Sequence, residues 1–205
     1  MALNLKVNAD VVDISSDTPK PQDVFLVDTN VWYWMTYSRA STAGAKVYQV
    51  RSYPTYTNNA LAANSTIYQS GVSIAELSHI IEKSEREIFN KANPQVSTKE
   101  YRHNFPAERA NVCLEIDSAC KQVLALGESM NVSIDSNMVK SSLARLKTCS
   151  VDGYDLFILE AMAASGVTQV ITDDGDFATV PGITVFTANR TIVQAAKAQG
   201  KLIVR

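Results

Sequence analysis

Histidine and cysteine are scarce in this 205-residue chain, with two of the first and three of the second. Two histidines leave few ligands for a multi-histidine zinc site. Cys113, Cys120 and Cys149 are odd in number and form no C-x-x-C pair, so a disulfide framework is not expected and a reducing compartment fits. No apolar run approaches membrane-spanning length and no apolar h-region opens the chain, so the expected setting is cytoplasmic, without a membrane. The formal net charge is only −2, which excludes a globally basic nucleic-acid binder but permits a local basic rim. G-x-S-x-G, P-loop and G-x-G-x-x-G motifs are absent, so acyl transfer and nucleotide-binding folds gain no support.

What remains is an ordinary globular composition, 46% hydrophobic and 20% charged, in a chain long enough for one buried core and short for two domains. Residues 1–22 are polar, with Pro19 and Pro21, and read as an extended N-terminal leader. Residues 23–205 read as a single domain. Residues 24–28, 66–70, 168–172 and 183–186 read as strands, with 202–204 as a further edge strand. Helices are expected from Val31, from Pro54 to about Ala63, from Ser73, from Pro106 to Met130, from Ser136 to about Lys147, from Asp155 to Ser165, and from Asn189 to Ala198. Val112, Leu114, Ile116, Cys120, Val123, Leu124 and Leu126 would supply one apolar stripe, and Leu143 and Leu146 another. Cys113 and Cys120 would be small core residues. Alternating strands and helices predict an α/β domain with a central, mostly parallel sheet flanked by helices.

The stretch of most interest is Val24, Phe25, Leu26, Val27, Asp28, Thr29, Asn30. Its apolar run suits a strand covered on both faces, and it ends abruptly on a carboxylate. Acids past such a strand lie at the carboxyl edge, where open α/β sheets bind ligands. Asp174 follows the apolar strand 168–172 in the same manner. Glu76 and Asp155 sit near the starts of apolar helices that could begin at that edge. Each acid alone has a plainer role: Asp28 as a helix cap, Ser73-x-x-Glu76 and Asp152 with Asp155 as capping boxes, Asp174-Gly175 as a turn. Gathered together they would repel one another unless a cation neutralised them, and hard Mg²⁺ or Mn²⁺ favours such oxygen ligands. A calcium loop at 173–176 lacks its far glutamate. The di-iron spacing Glu76-x-x-His79 and Glu100-x-x-His103 falls partly in a proline-bounded connection of a strand-rich chain. An aspartyl phosphatase would want a second acid where Asn30 stands.

Taken in order, Val27-Asp28-Thr29-Asn30, then Ser73-x-Ala75-Glu76-Leu77, then Asp155 with its apolar helix, then Ile171-Thr172-Asp173-Asp174-Gly175-Asp176-Phe177 resemble a PIN domain, over about residues 23–187. The resemblance implies a metal-dependent endoribonuclease acting on single-stranded RNA, in many cases the VapC-type toxin of a toxin–antitoxin pair, with Mg²⁺ or Mn²⁺ as cofactor, an antitoxin protein as partner and often a homodimer. By position, Asp28, Glu76, Asp155 and Asp174 match the acidic quartet, Asp176 a further metal-binding acid, and Asn30 and Thr172 the polar residues that orient them. Asp152 falls outside the matched positions. Compact toxins are shorter, and the leader and the segments 38–65 and 93–131 depart from the pattern. Another reading of the same pocket is a catalytically silent binding module that holds a protein partner or RNA. Arg39, Lys46 and Arg51, or Lys140, Arg145 and Lys147, are candidates for an RNA-contacting rim. Trp32, Trp34 and Tyr37 are expected in the core more than on a stacking surface.

Overall fold

The computed structural model describes residues 5–205. Their strands are β1 (Asp10–Asp13), β2 (Val24–Val27), β3 (Thr66–Ser70), β4 (Glu128–Met130), β5 (Gln169–Ile171), β6 (Thr184–Thr187) and β7 (Leu202–Ile203). Among the described residues they form one seven-stranded sheet, ordered β4-β3-β2-β5-β6-β1-β7, and every pairing is parallel. The helices are α1 (Thr29–Thr36), α2 (Val47–Ala62), α3 (Gly71–Ala92), α4 (Thr98–Asn104), α5 (Pro106–Leu126), α6 (Ser136–Leu146), α7 (Gly153–Ala164) and α8 (Arg190–Ala198).

Each central strand is apolar on both faces because helices cover both. Phe25 and Val27 join one core cluster with Trp32, Tyr53, Leu77, Ile81 and Val123, from α1, α2, α3 and α5. Leu26, between them, points the other way and packs with Ile158, Met162, Ile192 and Ala196 from α7 and α8. The same alternation recurs at Val170 and Ile171 of β5 and at Val185 and Phe186 of β6, as a two-residue side-chain period requires. From β2 the chain builds outward through β3 to β4, then returns to lay β5 on the opposite side of β2. The order therefore reverses between β2 and β5, and the carboxyl ends of these two strands flank the crevice where open α/β sheets take ligands.

Several expectations need correction. The stretch read as a leader belongs to the fold: β1 pairs with both β6 and β7, and Leu5, Val7 and Ala9 are buried (residues 1–4 lie outside the described set). Helix α2 begins at Val47, with Pro54 inside it rather than at its start. Helix α3 begins at Gly71, capped by the Ser70 hydroxyl, so Ser73 and Glu76 are not a capping box and Glu76 lies in the second turn. The segment 93–106 contains α4, with a capping box between Ser97 and Glu100. Helix α5 stops at Leu126, freeing 128–130 to form the edge strand β4, and 132–134 is irregular.

Two apolar stripes are also out of phase with the structure. On α5 the buried positions are Val112, Ala119 and Val123, spaced for one helical face, while Leu114 is 68% exposed and Leu124 57%. On α6, Leu143 and Leu146 face outward, and Cys113 is exposed rather than a core residue. Trp32 and Tyr37 are buried, as the packing reading holds, while Trp34 is half-buried against the same core cluster.

Candidate active site

Asp28 follows the last residue of β2 directly, and its backbone N–H donates to the Ile171 carbonyl of β5 at 3.1 Å. The side chain then does two jobs. It is the N-cap of α1, with Oδ1 accepting from the Thr29 N–H at 2.6 Å. Its Oδ2 accepts from the Thr172 hydroxyl at 2.7 Å, across from the neighbouring strand. The plainer capping role and the placement at the switch point are thus both fulfilled by one residue.

Thr172 extends this arrangement into the turn after β5, where its Oγ1 accepts from the Asp174 N–H at 2.9 Å. Asp174 Oδ1 in turn accepts from the Asp176 N–H at 2.9 Å. Asp155 lies in the first turn of α7, whose N-cap is Asp152. Oδ1 of Asp152 takes the Tyr154 and Asp155 N–H groups at 2.9 and 3.1 Å.

The electrostatics show that these acids share one environment. Burial pushes the Asp28 carboxyl up from 3.8 to about 7, with the Asp174 and Glu76 charges adding to the effect. Asp155 is raised to about 9, first by burial and then by the charges of Asp28, Asp152, Asp174 and Glu76. Glu76 is raised by burial and by Asp152 and Asp174. Asp176 is raised by burial, Asp174 and Asp152. Like charges in a low-dielectric crevice produce this pattern, and each group would keep a proton more readily than in water. The fold thus brings Asp28, Glu76, Asp155, Asp174 and Asp176 to one edge of the sheet, and Asp152 with them. Asp152 stands outside the matched motif, and the sequence marks it only as an N-cap. Asn30, by contrast, lies half-buried in the first turn of α1 and makes no side-chain hydrogen bond among the described residues; Thr172 alone of the two orienting candidates touches an acid.

The donor set is all oxygen, as Mg²⁺ and Mn²⁺ prefer. Thr29 Oγ1 and Glu76 Oε2 are buried and near one another: their geometry falls short of a hydrogen bond, yet the hydroxyl partly offsets the effect of burial on the Glu76 carboxyl. As the side chains lie, however, no three His, Cys, Asp or Glu residues among the described residues surround one point in a ligating arrangement. The site therefore fits a hard cation in chemistry, and its carboxylates would have to draw inward to complete the coordination. A groove of about 640 Å³ opens beside the acids, lined by Gly71, Val72, Ala75, Ile134, Asp152, Gly153, Tyr154 and Phe157.

Of the proposed basic rim, Arg39 is paired with Glu85 at 2.5 Å and Arg145 with Glu160 at 2.6 Å, while exposed Lys46 and Arg51 make no ion pair among the described residues. No helix is long and apolar enough to cross a membrane among the described residues.

No protein-family model matches the sequence, and no curated protein matches it. A solved structure similar in chain course is that of VapBC2 from Rickettsia felis bound to a DNA fragment from their promoter, at 18% identity and a TM-score of 0.46, over 80% of this chain and 98% of that one.

Proposed function

We propose that this protein is a Mg²⁺- or Mn²⁺-dependent endoribonuclease that hydrolyses phosphodiester bonds of single-stranded RNA. The observation that supports the reading most is the gathering of Asp28, Glu76, Asp155 and Asp174 at the switch point, with Asp28 and Asp155 pushed to about 7 and about 9. Strongly perturbed acids in a crevice mark functional sites more often than structural ones.

Asp28, Asp155 and Asp174 would hold the cation, with Glu76 and Asp176 at its margin. A bound divalent ion supplies Lewis-acid activation of water and offsets charge on the phosphate. The protein's own part is orientation and proton handling. Thr172 and the Thr29 N–H bond both oxygens of Asp28 and set the orientation from which this carboxylate would turn to a cation. Glu76, beside the Thr29 hydroxyl at the margin of the crevice, is placed to accept the proton that water loses as it attacks phosphorus, while the P–O ester bond breaks and the leaving oxygen takes a proton from solvent. Tyr154, 45% exposed on the groove beside Asp152, offers a base the stacking face that buried Trp32 and Tyr37 do not. Lys46 and Arg51 are free to meet the phosphate backbone.

The toxin role, the antitoxin partner and the homodimer follow from the resemblance of the acidic motifs. A partner or second copy would have the outward apolar residues Val139, Leu143 and Leu146 of α6 to cover. A second reading, a silent binding module, is favoured by one observation: no three acids stand in ligating geometry as they lie. Incubation of single-stranded RNAs with Mg²⁺, Mn²⁺ or EDTA separates the two. Metal-dependent cleavage that is lost in Asp28→Asn supports the nuclease; intact RNA across substrates and both metals supports the binding module.

A further inference from the structure

The residue between Thr172 and Asp174 faces away from the acids. Asp173 turns its carboxylate into α2, where it accepts from the Tyr48 hydroxyl at 2.9 Å, Gln49 Nε2 at 2.8 Å and the Tyr53 hydroxyl at 2.6 Å. A half-buried acid is thus supplied with three donors from two turns of one helix. Such satisfaction costs three side chains and serves no acid–base step, because the groups point away from the crevice.

Tyr53 is the centre of this contact. It is completely buried, and its ring lies 5.2 Å from that of Trp34. Its hydroxyl donates to Asp173 and accepts from the Ala188 N–H at 3.0 Å; the Thr187 hydroxyl stands 2.9 Å away and the Thr172 carbonyl 3.2 Å. Thr187 ends β6, and Asn189 beyond it donates its Nδ2 to the Asp173 carbonyl at 2.9 Å. One phenol therefore ties three elements together: α2, the end of β5 and the end of β6. The turn so held carries Thr172, which orients Asp28, and Asp174.

We infer that Tyr53 is a positioning residue of the acidic site, whose latch onto Asp173 fixes the turn that presents Thr172 and Asp174. Its consequence for cation binding rests on the ribonuclease reading; the latch itself does not. Helix α2 lies in the 38–65 segment that departs from the resembled pattern. Groups that orient metal-holding carboxylates from behind typically change metal affinity about 10–100-fold when removed.

The test compares Tyr53→Phe and Asp173→Asn with Tyr56→Phe, which lies one turn further along α2 and loses its hydrogen bond to Asp17 instead. Two quantities are read: Mn²⁺ affinity by titration calorimetry, and amide exchange of residues 174 and 176. Tyr53→Phe and Asp173→Asn should weaken Mn²⁺ about 10–100-fold and speed exchange in the turn about tenfold, while Tyr56→Phe changes neither despite a comparable fall in melting temperature. Unchanged Mn²⁺ binding in Tyr53→Phe, or an equal loss in Tyr56→Phe, overturns the inference. If the wild type binds no Mn²⁺, the ribonuclease reading fails and turn exchange alone decides: faster in Tyr53→Phe only, the latch stands; equal in both, it falls. Should Tyr53→Phe not fold, Tyr48→Phe removes one bond from Asp173 and is read the same way.

Discussion

Replacing Asp28 with asparagine should make the cation-free protein more stable at alkaline pH. Asp28 is 2% exposed and its carboxyl is raised from 3.8 to about 7, chiefly by burial. A shift of about three units corresponds to about 4 kcal/mol by which the folded state disfavours the charged form. The folded protein keeps a proton that the unfolded chain gives up, so this acid's contribution to stability is complete below 3.8 and is lost as pH rises through about 7. Asparagine carries no such penalty. The bonds from the Thr29 N–H and the Thr172 hydroxyl are already contained in that shift, but asparagine keeps only one acceptor oxygen and leaves one of the two donors unpaired, which returns about 1–3 kcal/mol. The net gain above pH 8 is therefore about 1–3 kcal/mol, or on the order of 5 °C in melting temperature for a chain of this size. Thermal melts in EDTA at pH 5 and pH 9 test it. The variant should melt higher than wild type at pH 9, and the advantage should vanish or reverse at pH 5. A variant less stable than wild type at both pH values would refute the reasoning, since it would mean that Asp28 is comfortable as an anion without a cation.

Three further substitutions act on the site, the core and the surface of α6. Thr172→Val removes the donor that holds the Asp28 carboxyl down, so the acidic limb of the cleavage pH profile should move to higher pH and the rate at pH 6 should fall about tenfold, a loss of about 1–2 kcal/mol. Arg205→Ala leaves Asp17 and Asp23, each with a side chain only 3% exposed, without the guanidinium that bonds both at 2.6 Å, and strips it from the Phe186 ring; urea unfolding should show a loss of about 3–5 kcal/mol. Leu143→Lys, on the outward face of α6, should change monomer stability by less than about 0.5 kcal/mol in the same assay, whereas a core leucine would cost several times more.

How far the sequence reveals this molecule depends on how local each signal is. Strand β2 is legible because an unbroken apolar run stops abruptly on polar residues, and β5 because Val170 and Ile171 stop in the same way; these stops locate Asp28 and Asp174. Strand β1 is hidden: only Val11 and Val12 separate two aspartates, and its partners in β6 and β7 lie more than 170 residues away. Strand β4, read from Glu128, Ser129 and Met130, carries no strand pattern and forms because the edge of β3 is open to it. Pro54 suggests a helix start by its usual place in a first turn, yet α2 starts seven residues earlier, at Val47, where Gln49 Oε1 accepts from the Lys46 N–H at 2.8 Å. That displaced start conceals Tyr48, Gln49 and Tyr53 as partners of Asp173. The alternation of side chains beyond β5 was a signal for it, since residues 172 and 174 on one side place 173 on the other. Leu143 and Leu146 mislead because apolar spacing alone does not say whether a helix face meets the core or a partner.

Diffraction from crystals soaked in Mn²⁺ should show anomalous density among Asp28, Asp155 and Asp174, with the carboxylates drawn inward from their cation-free positions. Density elsewhere, or none at saturating Mn²⁺ with the acids unmoved, would contradict a cation site there.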